Sequence, residues 1–365
     1  MKHLRKILPN ALTILVLLAL PAATYAQSEM SKVKHVFIIL MENHNWTGNN
    51  SGASFGDPDI KGSPLAPYIN SLIPLRAHAE QYFNPPGNHP SLPNYLWLEA
   101  GTNFGILADI LPSGKKGANI TSSAHLVTQL VNATPAITWK AYAEPDFPNP
   151  DFTDCPLNFS EVDVNHVPFV YFSDTTDGFS STSPNCIAHV KPYSHLATDL
   201  ASGAACTPAL ITSGTPCYAQ YNFITPNLCH DGHEGISPCD QNEPADNTAR
   251  SDAWLQQNVP LIQQSDEYKQ GGAIFIIWDE AEDSGPFSDG PIGMFILSPF
   301  AKGGGKTAFS NSIHYDHSST LKTLQEIFQV GPLLGAAADP ETKDLSDFFN
   351  VDCGDGAGGN QNCGN

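Results

Sequence analysis

Positive charge is what this chain of 365 residues has least of. It carries 17 Lys and Arg against 37 Asp and Glu, a formal net charge of −20. Nucleic-acid binding draws on many Lys and Arg contacts to phosphates, so no nucleic-acid partner is expected. Anionic membrane surfaces repel the chain for the same reason. Long apolar runs are also missing. The run at residues 12–20 is too short to span a bilayer. It follows Lys2, Arg5 and Lys6 and leads into small residues ending at Ala26, which reads as a secretory signal peptide over residues 1–26. The mature chain is therefore expected in the periplasm or outside the cell, without a stable membrane anchor. No CxxC spacing occurs among the eight cysteines, which counts against a zinc–thiolate cluster. In an oxidising compartment an even number implies disulfides, and proximity suggests Cys155–Cys186, Cys206–Cys217, Cys229–Cys239 and Cys353–Cys363. No internal repeat is visible.

What is present is a series of buried strands separated by long loops. Proline and glycine number 30 and 29, enough for extensive ordered loops around a compact centre. Apolar runs at residues 36–41, 271–278 and 293–298 read as core strands, with shorter strands at 76–82, 138–142 and 220–225. Helices are expected at 65–75, from 93 or 94 to 100, at 126–131, 195–201 and 248–265, and after His317. Alternating strands and helices predict an α/β fold: three layers, with a mostly parallel central sheet and helices on both faces. One domain is expected over residues 27–350, followed by a Gly/Asn-rich tail at 351–365. Residues 144–194 read as a long excursion pinned by a disulfide, with 167–172 its clear apolar stretch.

Polar clusters recur where these strands end. Glu42, Asn43 and His44 follow the first strand. His230, Asp231 and His233 follow the strand at 220–225, and Asp279 and Glu280 follow the one at 271–278. In open α/β sheets, ligands bind at the carboxyl ends of strands. Clustered carboxylates repel one another unless cations or hydrogen bonds compensate, so a metal site is expected. Ser91 stands near the start of a helix, where backbone N–H groups favour an anion. On its own it reads first as an N-cap. His317 opens the last helix, with His314 a second candidate.

Seven segments occur in an order that resembles the alkaline phosphatase superfamily, and within it the phosphoesterase family of secreted bacterial acid phosphatases and phospholipases C. They are VFIILMENHNW, HPSLPNYLWLEAG, ITPNLCHDGHE, SDAWLQQNVPLI, FIIWDEAEDSG, MFILSPFAKGG and YDHSSTLKTLQEIF. The resemblance implies an alkaline phosphatase-like fold and a set of roles. Glu42, Asn43, Asp231, Asp279 and Glu280 match metal ligands, for a divalent ion such as Zn, Ca, Mg or Mn. Ser91 matches the nucleophile and His317 the last histidine of the pattern, here expected to serve catalysis. Asn94, His230 and His233 are expected on the substrate. Two departures stand out: Asn45–Trp46–Thr47 replaces the family's Ser-Phe-Asp, and Glu280 stands where two-zinc members carry His.

The expected activity is thus a metal-dependent phosphoesterase working through a phosphoserine, acid phosphatase-like in substrate. A phospholipase C-type diesterase acting on phospholipid head groups is the alternative. The partner is accordingly a phosphate-ester small molecule or a phospholipid head group. The sulfatase motif Cys/Ser-x-Pro-x-Arg is absent around Ser91, which counts against a sulfatase. A secreted binding domain without activity is the rival from another class; the intact carboxylates and Ser91 argue against it.

Overall fold

Two seven-residue strands that are apolar almost throughout, His35–Met41 and Gly272–Trp278, form the centre of the protein. A strand buried on both faces belongs inside a parallel sheet, and these two pair in parallel from His35 opposite Gly272 to Met41 opposite Trp278. The computed structural model describes residues 27–47, 60–112, 117–233, 239–281, 289–305 and 307–352. Its central sheet has eight strands. In spatial order they are Phe309–Asn311, Ala77–Ala79, Met294–Leu297, Gly272–Trp278, His35–Met41, Tyr221–Thr225, Trp139–Ala143 and Val190–Pro192. All pairings are parallel except those of Met294–Leu297, which runs against both of its neighbours. The mostly parallel sheet expected from the alternating pattern is present.

The strand expected at residues 76–82 is instead two pieces. Ala77–Ala79 joins the central sheet, while Tyr82–Phe83 pairs with Tyr315–Asp316 in a separate ladder. The break falls at Glu80, whose carboxylate accepts from Lys61 Nζ (2.7 Å) and Trp46 Nε1 (2.7 Å). Trp46 lies in the segment that departs from the family pattern, and it is fully buried. Its ring lies so close to Gly293, at φ +75°, that a Cβ there would sit 2.8 Å from it. The departing segment is thus packed into the core. The helix expected at 248–265 runs unbroken through Pro260 as Asn247–Gln264. Three of the expected disulfides, Cys155–Cys186, Cys206–Cys217 and Cys229–Cys239, are formed. Cys353–Cys363 and the leader at 1–26 lie outside the described residues. Among the described residues, no helix is long and apolar enough to cross a membrane.

Helix Ser91–Ala100 is buried on nearly every side and packs against helix His317–Phe328, with Trp97 Nε1 donating to Ser318 Oγ (2.8 Å). It ends at Gly101 in the left-handed conformation, φ 68°, whose N–H returns to Trp97 O. Its last turn is also held by an ionic clamp. Glu99 and Asp174 flank the buried ring of His125, at 2.9 Å from Nδ1 and 3.0 Å from Nε2. Phe172 stacks on the same ring at 3.9 Å. Burial by itself would lower the His125 pKa, but the hydrogen bonds to Asp174 and Glu99 outweigh it and push it up to about 9.

A folded pKa above the unfolded value means the folded state holds the proton more tightly. The clamp's contribution is therefore full below pH ~6.5 and is lost as pH rises through about 9. Thermal melts of the wild type should show stability falling across that window, and His125→Gln should flatten this part of the slope. Equal slopes in the two proteins would show that the clamp does not carry the effect.

Candidate active site

Register brings the polar strand ends together. Met41 and Trp278 are opposite one another in neighbouring parallel strands, so the next residues, Glu42 and Asp279, emerge side by side. The backbone continues the pairing, with Asp279 N–H donating to Met41 O (2.9 Å) and Glu42 N–H to Asp231 O (2.8 Å). Asp231 comes from the turn after Tyr221–Thr225, the strand on the other side of His35–Met41. Three adjacent strands thus deliver Glu42, Asp231, Asp279 and Glu280 to one place, and all four carboxylates are buried.

Glu42 is the most heavily partnered of the four. Its Oε2 accepts from Ser91 Oγ at 2.9 Å. Its Oε1 accepts from the Tyr95 hydroxyl and lies 3.3 Å from His166 Nε2. Tyr95 stacks face to face on the His166 ring at 5.0 Å. Asn43 is in the left-handed conformation, φ 33°, and its N–H donates to Asp279 Oδ1 (3.0 Å). Its amide is satisfied when the nitrogen faces Glu42 Oε2 (2.9 Å) and Asp279 Oδ1 (3.2 Å), with the oxygen accepting from His233 Nε2 (3.1 Å). Glu280 Oε2 accepts from Asn94 Nδ2 (2.8 Å) and pairs with His89 Nδ1 (2.8 Å). The other nitrogen of His89 faces Asp289 at 2.7 Å.

The cluster raises the pKa of all four carboxylates. Burial, and then the charges of Asp279 and Asp231, hold the Glu42 pKa well above the carboxylate range. Burial does the same to Asp231, reinforced by Asp163 and Asp279. Burial raises Asp279 to about 6, and burial with the Asp279 charge raises Glu280 to about 7. His89 moves the opposite way from a simply buried imidazole. Burial lowers its pKa, yet Asp289 and Glu280 push it up to about 10 and keep it cationic.

Two carboxylate oxygens, Asp231 Oδ2 and Asp279 Oδ2, are buried with no hydrogen-bond donor. An orphaned buried anion is costly, and oxygen donors of this kind suit a hard cation. Among the described residues, however, no three His, Cys, Asp or Glu side chains already stand as a metal-holding group.

The other residues singled out by sequence divide. Ser91 is the first residue of its helix, with Pro90 as the cap, and lies against Glu42. His233 reaches Asn43, and its N–H also donates to Asp231 Oδ1 (2.9 Å). Asn94 is committed elsewhere: its amide bridges Glu280 and the Asn88 backbone (2.8 Å), fastening the loop before Ser91. His230 faces away from the carboxylates and pairs with Glu144 (2.9 Å) and Glu243 (3.0 Å). His317 is fully buried, with Nε2 on the Asp279 carbonyl (2.5 Å) and Nδ1 on the Tyr82 hydroxyl (3.1 Å). Burial lowers its pKa to about 4, so it is neutral and serves to hold the Asp279 backbone. His314 stacks on Phe83. Sequence reasoning did not single out His166, Tyr95 or His89. His89 and Tyr95 lie within the HPSLPNY segment, and a helical offset of four from Ser91 was the signal for Tyr95. His166 gave no signal beyond standing before the apolar stretch at 167–172.

The Phosphoesterase family model matches residues 64–331 of this chain. Glu42 and Asn43 lie before that span. A Mycobacterium tuberculosis protein named phosphatidylinositol-3-phosphatase is 27% identical over 311 residues, covering 85% of this chain and 82% of its own. Among solved structures, one from work on glycosaminoglycan metabolism by Bacteroides thetaiotaomicron superposes with a TM-score of 0.51 at 11% identity, covering 87% of this chain and 77% of its own. The PsFucS1 sulfatase from Pseudoalteromonas sp. gives 0.50 at 11% identity, covering 89% and 73%. At such identities these structural likenesses concern the fold alone.

The Tyr95 hydroxyl is a buried donor to a buried carboxylate, and removing it leaves Glu42 short of a partner. Tyr95→Phe should cost roughly 1–3 kcal/mol in urea unfolding of the full chain. A loss below about 0.5 kcal/mol, the range of a neutral surface change, would show that this hydroxyl does not support Glu42.

Proposed function

The chain belongs to the Phosphoesterase family, and from that premise we propose a secreted, metal-dependent phosphomonoesterase that uses Ser91 as its nucleophile. That it is a hydrolase of phosphoric ester bonds follows from the family and from its phosphatase relative. The observation that carries the finer reading is the contact of Ser91 Oγ with Glu42 Oε2, 2.9 Å apart at the start of a helix and among buried carboxylates.

The chemistry then runs in two displacements. Glu42, in its ionised form, accepts the proton of Ser91 as Oγ forms a bond to phosphorus in line with the leaving oxygen. The ester P–O bond breaks and the alcohol leaves with a proton from solvent. Water next attacks the phosphoserine, the Oγ–P bond breaks, Ser91 regains its proton and inorganic phosphate departs. Glu42, Asn43, Asp231, Asp279 and Glu280 would hold a divalent cation, whose positive charge would offset the anionic phosphoryl group. Tyr95 and His166 orient Glu42 from its other oxygen. His317 holds Asp279 through its carbonyl, and His233 steadies Asn43 and the Asp231 turn. At the helix start the Ser91 N–H and the helix dipole favour the anion in either step.

The name of the mycobacterial relative denotes a phosphatase, which supports a monoester over phospholipase C-type cleavage. Export is supported by the three disulfides and by the leader read at residues 1–26.

Ser91→Ala should lower kcat on p-nitrophenyl phosphate by roughly a thousandfold or more, as loss of a nucleophile does. Full activity in that variant would refute the assignment of the nucleophile. Exhaustive chelation should abolish turnover, and one or more of Zn, Ca, Mg or Mn should restore it. If p-nitrophenylphosphorylcholine is cleaved faster than p-nitrophenyl phosphate, the diesterase reading replaces this one.

A further inference from the structure

The helix that carries Ser91 offers an anion very little backbone. Its cap, Pro90, and its third residue, Pro93, have no N–H. Among the cap and the first three positions, only Ser91 and Leu92 can donate. The Leu92 N–H is already engaged: it donates to Asp109 Oδ1 at 3.0 Å. Asp109 belongs to the loop after this helix and is brought back to the helix start. The residue is solvent-exposed overall; desolvation of its carboxyl raises its pKa, and the hydrogen bond from Leu92 N–H works against that by favouring the ionised form. Its charge is felt by Glu280 on one side of the site. An acidic side chain thus stands where the groups most attractive to a phosphoryl oxygen converge.

Two anionic acceptors cannot both be well served by one N–H, and their charges repel at contact distance. We propose that Asp109 is a specificity-determining residue that competes with the phosphoryl group for the Leu92 N–H and thereby sets how weakly phosphate is held. The inference rests on the reading of Ser91 as the residue that faces phosphorus. It has a functional logic. A cation site beside a helix N-terminus holds the product phosphate tightly, and tight holding of the ground state does not raise kcat. A carboxylate in competition keeps the product exchangeable. The plainer role for Asp109 is a cap that only fastens its loop to the helix. That role predicts a less stable protein with unchanged or weaker phosphate binding, never tighter.

The test measures inhibition by inorganic phosphate of p-nitrophenyl phosphate hydrolysis, with the full chain in its metal-loaded form. In Asp109→Ala the Ki for phosphate should fall by about tenfold, equivalent to ~1.4 kcal/mol. In Asp109→Asn it should fall less, because the amide oxygen still accepts from Leu92 without bringing a charge. KM should move in the same direction as Ki. A Ki that is unchanged or raised in both variants, with the urea midpoint retained, overturns the proposal. If Asp109→Ala does not fold, Asp109→Asn decides alone: a lowered Ki supports the competition and an unchanged or raised one overturns it. Full turnover by Ser91→Ala would remove the premise and overturn the proposal with it. That failure shows in kcat and is distinct from a failure of Asp109, which shows in Ki while Ser91 remains essential.

Discussion

Four carboxylates buried at the ends of three neighbouring strands repel one another, and the rest of the site is arranged around that repulsion. Glu42, Asp231, Asp279 and Glu280 reach one place because their strands are parallel and in register. Solvent cannot screen them, since all four are buried. What surrounds them is a shell of donors: the Ser91 and Tyr95 hydroxyls, the Asn43 and Glu280 backbone N–H groups, the Asn94 amide and the cationic His89. Hydrogen bonds to charged groups are the stronger kind, yet each removes only part of the cost of burying a charge. Two oxygens remain without donors. Protonation, which the raised pKa values favour, and positive charge from outside the chain are the ways left to balance the cluster.

The same arrangement bears on the role proposed for Ser91. Its hydroxyl is one of the donors in that shell, so the interaction that stabilises Glu42 would also prepare Ser91 to lose its proton. The tightness of the surrounding packing keeps the two in contact. His317 has no free ring nitrogen, because both are spent on holding Asp279 and contacting Tyr82. A residue that reads as a catalytic histidine by position has both ring nitrogens engaged by the protein itself.

Much of this was legible in the sequence, for a definite reason. Strands buried on both faces leave apolar runs, and residues 36–41 and 271–278 announced themselves that way, while 220–225 read as a shorter, mixed core strand. Their polar ends marked Glu42, Asp279 and Asp231. The strand at 76–82 misled because its apolar and polar residues alternate across Glu80, where a side-chain network splits it between two sheets. Asn94 and His230 had the right residue types and the right neighbourhood in the chain. Asn94 donates to Glu280 inside the site while His230 turns to Glu144 and Glu243, and no spacing rule reports where a side chain turns. His166 was beyond reach of any pattern. It lies in the loop closed by Cys155–Cys186, and a tertiary contact with no local period places its ring beside Glu42.

The helix from Ser91 to Ala100 carries the Ser91 hydroxyl, the proposed nucleophile, at one end and, at the other, Glu99 in its clamp with His125 and Asp174. Eight residues of α-helix separate Ser91 from Glu99, about 12 Å at the usual rise per residue. A helix of this length moves as a stiff rod, so a tilt set at the clamp reappears as a displacement at the hydroxyl. On the proposed assignment, the aim of Ser91 would be governed partly by residues remote from the carboxylate site. Sequence drift around Phe172 and Asp174 should accordingly tune the rate of attack while leaving the shape of the binding site intact.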